Sequence, residues 1–127
     1  MEGDLVIMKN GFTFELYEMT FTNCFIQSSN YANGDLKLSL FGKDPDIHKT
    51  THFADITLEQ NSRKLKDGEI VVNCKFKPTL IPQLLNLGII KEQTGLCIVG
   101  DSIYPVYTID LTQVKKNHYC IKELIAA

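Results

Sequence analysis

The sequence predicts a single α+β domain over residues 1–127, built on an antiparallel, hairpin-rich sheet of about six or seven strands. Three observations carry this. Apolar and polar residues alternate with period two in several short runs, tight-turn dipeptides separate extended segments, and one short apolar-faced helix stands in the second half.

Taken in order, residues 4–9 read as a first strand, followed by Asn10-Gly11 as a turn. Residues 12–21 follow. Phe12, Phe14 and Leu16 share one phase, and Tyr17, Met19 and Phe21 take up the other, a one-residue slip that predicts a bulge or bend near Leu16 and Tyr17 rather than a straight strand. Asn33-Gly34 is a second turn signal, and Leu36, Leu38 and Leu40 then alternate against Lys37 and Ser39. Residues 42–50, with Pro45, and 60–66 are polar enough for surface loops.

The same alternation sets Ala54, Ile56 and Leu58 against Asp55, Thr57 and Glu59. After Asp67-Gly68 it sets Ile70, Val72, Cys74 and Phe76 against Val71, Asn73 and Lys75. Such runs mark strands with one buried and one wet face. A helix is expected over about 79–87: Thr79 can cap it, Pro82 is tolerated in its first turn, and Leu80, Ile81, Leu84, Leu85 and Leu87 give it an apolar side before Gly88. Residues 95–99 and 103–111 read as two more strands, Pro105 pushing the latter toward an edge or a bulge. Residues 118–127 are compatible with a short C-terminal helix.

The chain has 127 residues, 44% hydrophobic and 22% charged, and a net charge of -2. This suits one globular domain and excludes disorder, a collagen repeat and a disulfide miniprotein. No stretch reaches the roughly 18 apolar residues of a spanning helix, and the acidic start does not suit a signal peptide, so the expected location is the cytoplasm of whatever cell makes the chain, with no membrane contact. Of 13 basic residues only Arg63 is an arginine. Arginine is the residue of bidentate phosphate and guanine capture, so a nucleic-acid partner is disfavoured without being excluded.

Catalytic constellations are weak. His48 and His52 are spaced as on a metalloprotease helix, but two threonines and no glutamate lie in that stretch, so they are weak metal candidates and no cofactor is expected. Asp44 and Asp46 offer to join them in an oxygen–nitrogen cluster, but Asp44-Pro45-Asp46 reads just as readily as a turn with side chains bonding the local backbone. Cys24, Cys74, Cys97 and Cys120 contain no close pair and read as reduced thiols. Asp55, Glu59, Asp67 and Glu69 are expected on the solvated face. The densest basic region is Arg63, Lys64, Lys66, Lys75 and Lys77, with Lys75 and Lys77 on one wet strand face. Tyr104 and Tyr107, with Val71 on the nominally wet side of its strand, predict a protein-contact patch, unless a terminal helix covers it.

The motif order Tyr31-Ala-Asn-Gly-Asp-Leu-Lys-Leu-Ser-Leu40, Ala54-Asp-Ile-Thr-Leu58, Asp67-Gly-Glu-Ile-Val-Val72, Leu84-Leu-Asn-Leu-Gly-Ile-Ile90, Thr94-Gly95 and Tyr104-Pro-Val-Tyr107 resembles a family of small domains of unknown function from gut bacteria and their phages and mobile elements. The resemblance covers about residues 12–111. It departs where such families carry an asparagine after the Thr-hydrophobic pair, since Leu58-Glu59-Gln60 stands here. It carries over no functional residue. It implies a phage or mobile-element accessory protein.

Two functions are expected from different classes. The first is a non-enzymatic binding protein that contacts a host protein, with inhibition of host defence, anti-CRISPR-like, as its setting; that setting rests on analogy. Its contact residues are Tyr104, Tyr107, Val71, Lys75, Lys77 and Arg63. The alternative is a small-ligand protein, a nucleotide-binding sponge or small hydrolase, using Lys75, Lys77, Tyr104 and Tyr107. Exposed edges in so small a sheet also leave a homodimer open.

Overall fold

The computed structural model describes residues 11–116. The expected strand at 4–9, Asn10 and the tail with His118, Tyr119 and Cys120 lie outside them.

Seven strands form two antiparallel sheets. Strands β1 (Phe12–Leu16), β2 (Met19–Asn30), β3 (Leu36–Lys43) and β4 (Thr50–Asp55) make a meander in the order β1-β2-β3-β4. Strands β5 (Glu69–Val71), β6 (Ile90–Val99) and β7 (Ser102–Ile109) make the second sheet, in the order β5-β7-β6. Helix α1 (Leu80–Asn86) connects β5 to β6, and helix α2 (Leu111–Lys116) follows β7. The α+β class agrees with expectation, whereas the seven strands among the described residues divide into two sheets. One bridge, Thr57 to Val72, stitches the sheets together, supported by the Asn73 N–H on the Ile56 carbonyl at 2.8 Å.

The main core draws on both sheets and both helices: Phe14, Phe21, Ile26, Leu38, Leu40, Ile56, Ile70, Val72, Leu84, Ile90 and Val114 are all buried together. Phe21 and Phe53 stack in it at 3.9 Å. Helix α1 buries Leu80 and Leu84, one turn apart on one face and both fully excluded from solvent. Each such leucine stabilises the fold by roughly 1.5–3 kcal/mol, which anchors a helix too short to persist alone. Gly88, at φ 75, ends it as expected, but the Thr79 hydroxyl does not cap it and instead donates to the Glu15 carbonyl at 3.0 Å.

Of the bulge or bend expected after Leu16, the structure has the bend, and it is a full chain reversal. Tyr17 and Glu18 form a two-residue turn, so Leu16 pairs with Met19 and Phe14 with Phe21, and the apolar phase resumes on the returning strand. Asn33-Gly34 forms the expected reversal, with Gly34 at φ 92. The loop after β3 is the expected aspartate turn, since Asp44 Oδ1 accepts from the Asp46 N–H at 2.7 Å.

Strand β5 is shorter than the alternation at residues 70–76 predicts, and Pro105 explains why. Pro105 lies in the central strand β7, not at an edge. Its carbonyl accepts from the Val72 N–H at 3.0 Å, but it has no N–H to return, and the Cys74 N–H takes the Val72 carbonyl at 2.9 Å instead. The ladder therefore stops and residues 73–79 turn away. On the other side Pro105 faces Leu96. Strand β7 also ends earlier than expected, because Asp110 Oδ1 accepts from the N–H groups of Thr112 and Gln113 and starts α2.

Candidate functional site

Residues 58–66 cross one face of the second sheet and decide the fate of most of the predicted contact residues. Leu58 and Leu65 pack from this loop against Val71, Cys97, Tyr104 and Val106 in a second apolar cluster. Val71 is therefore 1% exposed and Tyr104 9%, and the predicted Tyr/Val contact patch is corrected on both. The reason is that β5 is buried on both faces: Ile70 and Val72 enter the main core while Val71 enters the second cluster. Among the described residues the cover is this loop; the terminal helix expected at 118–127 lies outside them. Tyr107 lies on the other side of β7, half-buried against the main core.

The only arginine is engaged in holding that loop. Arg63 Nη1 donates to the Leu96 carbonyl at 3.1 Å, and Nη2 lies 3.9 Å from Glu69 Oε2. The guanidinium occupies the space above Gly95, where an added Cβ would meet Nη1 at 2.5 Å. Glu69 is buried rather than solvated as expected. Its carboxylate accepts from the Thr94 hydroxyl at 2.7 Å and the Lys66 N–H at 2.9 Å. The Thr94 bond first, then that N–H, hold its pKa below the ordinary carboxylate value against the cost of burial, with Arg63 assisting. Gln60, also buried, donates to Asp35 and the Arg63 carbonyl and accepts from the Arg63 N–H. The loop is thus tied to the Asn33-Gly34 turn as well, where Asn33 Nδ2 donates to the Gln60 carbonyl at 2.6 Å.

The expected basic strip is dispersed. Lys75 and Lys77 lie on the turn after β5 rather than on a strand. Lys75 Nζ donates to Ser102 Oγ at 2.8 Å and sits 5.4 Å from the Phe76 ring centre. With Cys74, Ser102, Ile103 and Tyr104 it borders an open cleft of about 430 Å³. Lys77 borders a different cleft. Lys75, Lys77, Tyr104 and Tyr107 therefore do not converge on one pocket.

His48 occupies the turn after β3, at φ 55, and His52 lies on β4 with Nε2 2.8 Å from Asp55 Oδ1. Ser39 Oγ donates to the same oxygen, so aspartate rather than histidine is the middle member, and the serine has no imidazole base. Among the described residues no group of three or more His, Cys, Asp or Glu side chains is placed to hold a metal ion. Cys24, Cys74 and Cys97 are free thiols. Burial pushes the Cys24 thiol up to about 12, only partly offset by a backbone hydrogen bond from Phe14, which suppresses the nucleophilic thiolate.

What the structure does leave open is the outer face of the β6–β7 hairpin. Leu96, Ile98 and Ile103 are 58%, 59% and 64% exposed. Ile98 pairs directly with Ile103, and Leu96 with Pro105, so the four residues form one surface. The opposite face holds the buried Cys97 and Tyr104. The signal for this surface was present in the sequence. Leu96, Cys97, Ile98 and Val99 are all apolar, and a strand apolar at every position has contacts on both faces. A second open feature is a cleft between the Tyr17-Glu18 turn and the turn at Phe76.

Comparison of the chain with protein-family models, curated proteins and solved structures returned no match. No helix among the described residues is long and apolar enough to cross a membrane. The class defined by fold and surface is therefore a two-sheet α+β protein with an apolar hairpin face.

Proposed function

We propose that the chain is a non-enzymatic binding protein that works by protein–protein contact through the outer face of the β6–β7 hairpin. The observation that carries this is the joint exposure of Leu96, Ile98 and Ile103 on paired positions of two strands. Isolated exposed aliphatics are ordinary, but a contiguous cross-strand group resembles the apolar centre of an interface. The backbone edge beside it is already occupied, since Ser62 Oγ donates to the Ile98 carbonyl at 2.6 Å and Arg63 to that of Leu96. Recognition here works through side chains rather than strand addition.

The family resemblance supplies the setting: an accessory protein of a phage or mobile element in a bacterial cell, with inhibition of a host defence system, anti-CRISPR-like, as the first activity to assay. Affinity capture from host lysate, with the wild-type chain and Ile98→Lys/Ile103→Lys side by side, tests the contact. A stoichiometric partner held only by wild type supports the reading, and equal capture by both removes the hairpin face from it. The small-ligand alternative retains only Lys75 and Tyr104 in one cleft. It predicts a rise in melting temperature with nucleotides through ligand linkage, and the protein-contact reading predicts none.

A further inference from the structure

Tyr17 and Glu18 make the whole turn between β1 and β2, and both lie in the left-handed region, at φ 55 and φ 60. Two-residue hairpin turns of this kind are normally built from Asn-Gly, because bulky side chains resist positive φ. Phe76 is held the same way, at φ 61. These three residues border one cleft of about 420 Å³, whose walls also include Glu15, Lys77 and Thr79. The Thr79 hydroxyl bonds the Glu15 carbonyl, so the two walls are tied together.

The strained residues are not packed inside. Tyr17 is 55% exposed and Phe76 87%, so burial of their rings does not offset the strained backbone. Strain of this kind collects at ligand clamps, where the conformation serves binding rather than folding. The residues on the walls include two aromatic ones, Tyr17 and Phe76, and two acidic ones, Glu15 and Glu18, against Lys77. Lys75 Nζ, held by Ser102 Oγ at the neighbouring cleft, lies 5.4 Å from the Phe76 ring centre, so an incoming cation competes with it for that ring.

We propose that this cleft takes the guanidinium of an arginine side chain presented by a partner protein. A planar guanidinium stacks on aromatic faces and donates paired hydrogen bonds to carboxylates, which an ammonium does not do equally well. This site is separate from the hairpin face and stands whether or not that face binds a partner.

The test uses the full chain and a short unstructured peptide with a single arginine, alongside the same peptide carrying citrulline, which keeps the shape and loses the charge. Backbone amide shifts of Tyr17, Glu18 and Phe76 are followed by NMR to millimolar peptide. Saturable shifts with arginine and none with citrulline are expected. Phe76→Ala and Glu18→Gln each weaken binding about two- to fivefold, and Lys77→Met strengthens it. Phe76 is so exposed that its truncation leaves the fold intact, as an unchanged melting temperature verifies. Equal shifts with citrulline, no shifts with either peptide, or full binding by the Phe76→Ala chain would overturn the assignment.

Discussion

The side-chain amide of Gln83 engages both backbone groups of Glu15: its Nε2 donates to the Glu15 carbonyl at 2.6 Å and its Oε1 accepts from the Glu15 N–H at 2.8 Å. A single side chain thus does what a neighbouring strand would do at the open edge of β1. The same device recurs at β6, where Ser62 and Arg63 take the carbonyls of Ile98 and Leu96. Both edges are blunted at these points, which works against strand-to-strand self-association there. Gln83→Leu is predicted to lower stability by about 1 kcal/mol, the net worth of lost hydrogen bonds at a partly exposed site. Denaturant midpoints would show this, and amide exchange at Glu15 should accelerate.

The guanidinium over Gly95 makes a second prediction. Gly95→Ala forces Arg63 away from the Leu96 carbonyl and from Glu69, because Nη1 stands where the new methyl must go. Arg63 is the far end of a flexible, partly exposed chain, so it can move, and the expected loss is about 1 kcal/mol. The loss should be non-additive with Arg63→Ala: in the arginine-free background Gly95→Ala becomes nearly neutral. A double-mutant cycle by urea unfolding measures this.

Acid should weaken the attachment of the 58–66 loop. Glu69 has a folded pKa below its unfolded value, so its contribution is fully present above the ordinary glutamate value of about 4.3. It is lost as pH falls through the lowered folded value, where the carboxyl takes up its proton. The stability of wild type relative to Glu69→Gln should therefore decline on acidification from about pH 4.3 downward. Thr94→Val removes the first cause of the shift and should move the decline to higher pH. Unfolding midpoints collected against pH test both.

The turn at Tyr17 and Glu18 stores strain that a better turn sequence would release. Replacing the pair with Asn-Gly is predicted to raise stability by roughly 1–2 kcal/mol, since each residue is held at positive φ. The same replacement should abolish arginine-peptide binding at the cleft. Thermal unfolding reads the first effect and NMR titration the second.

Local features of the fold were legible in the sequence where they rest on local chemistry. Alternation at Leu36, Leu38 and Leu40 located β3, Asn33-Gly34 located its turn, and the leucines around Pro82 located α1. The Tyr17-Glu18 turn was legible only as a bulge or bend and not as a tight reversal, because neither residue favours positive φ. The first half of β6 was missed because Lys91, Glu92, Gln93 and Thr94 are exposed polar residues without alternation, and only pairing with β7 makes them a strand. The short β5 depends on Pro105, which is distant in sequence. Val71, Glu69 and Arg63 were misplaced for the same reason: a polar loop folding back over the second sheet buries all or part of each, and no local pattern encodes that contact.

The proposed contact surface is the hairpin face of Leu96, Ile98 and Ile103. Hydrogen exchange of the chain, alone and in complex with its captured partner, tests it most directly. Slowed exchange confined to residues 96–105 is the predicted result. Protection elsewhere with the hairpin unchanged would contradict it.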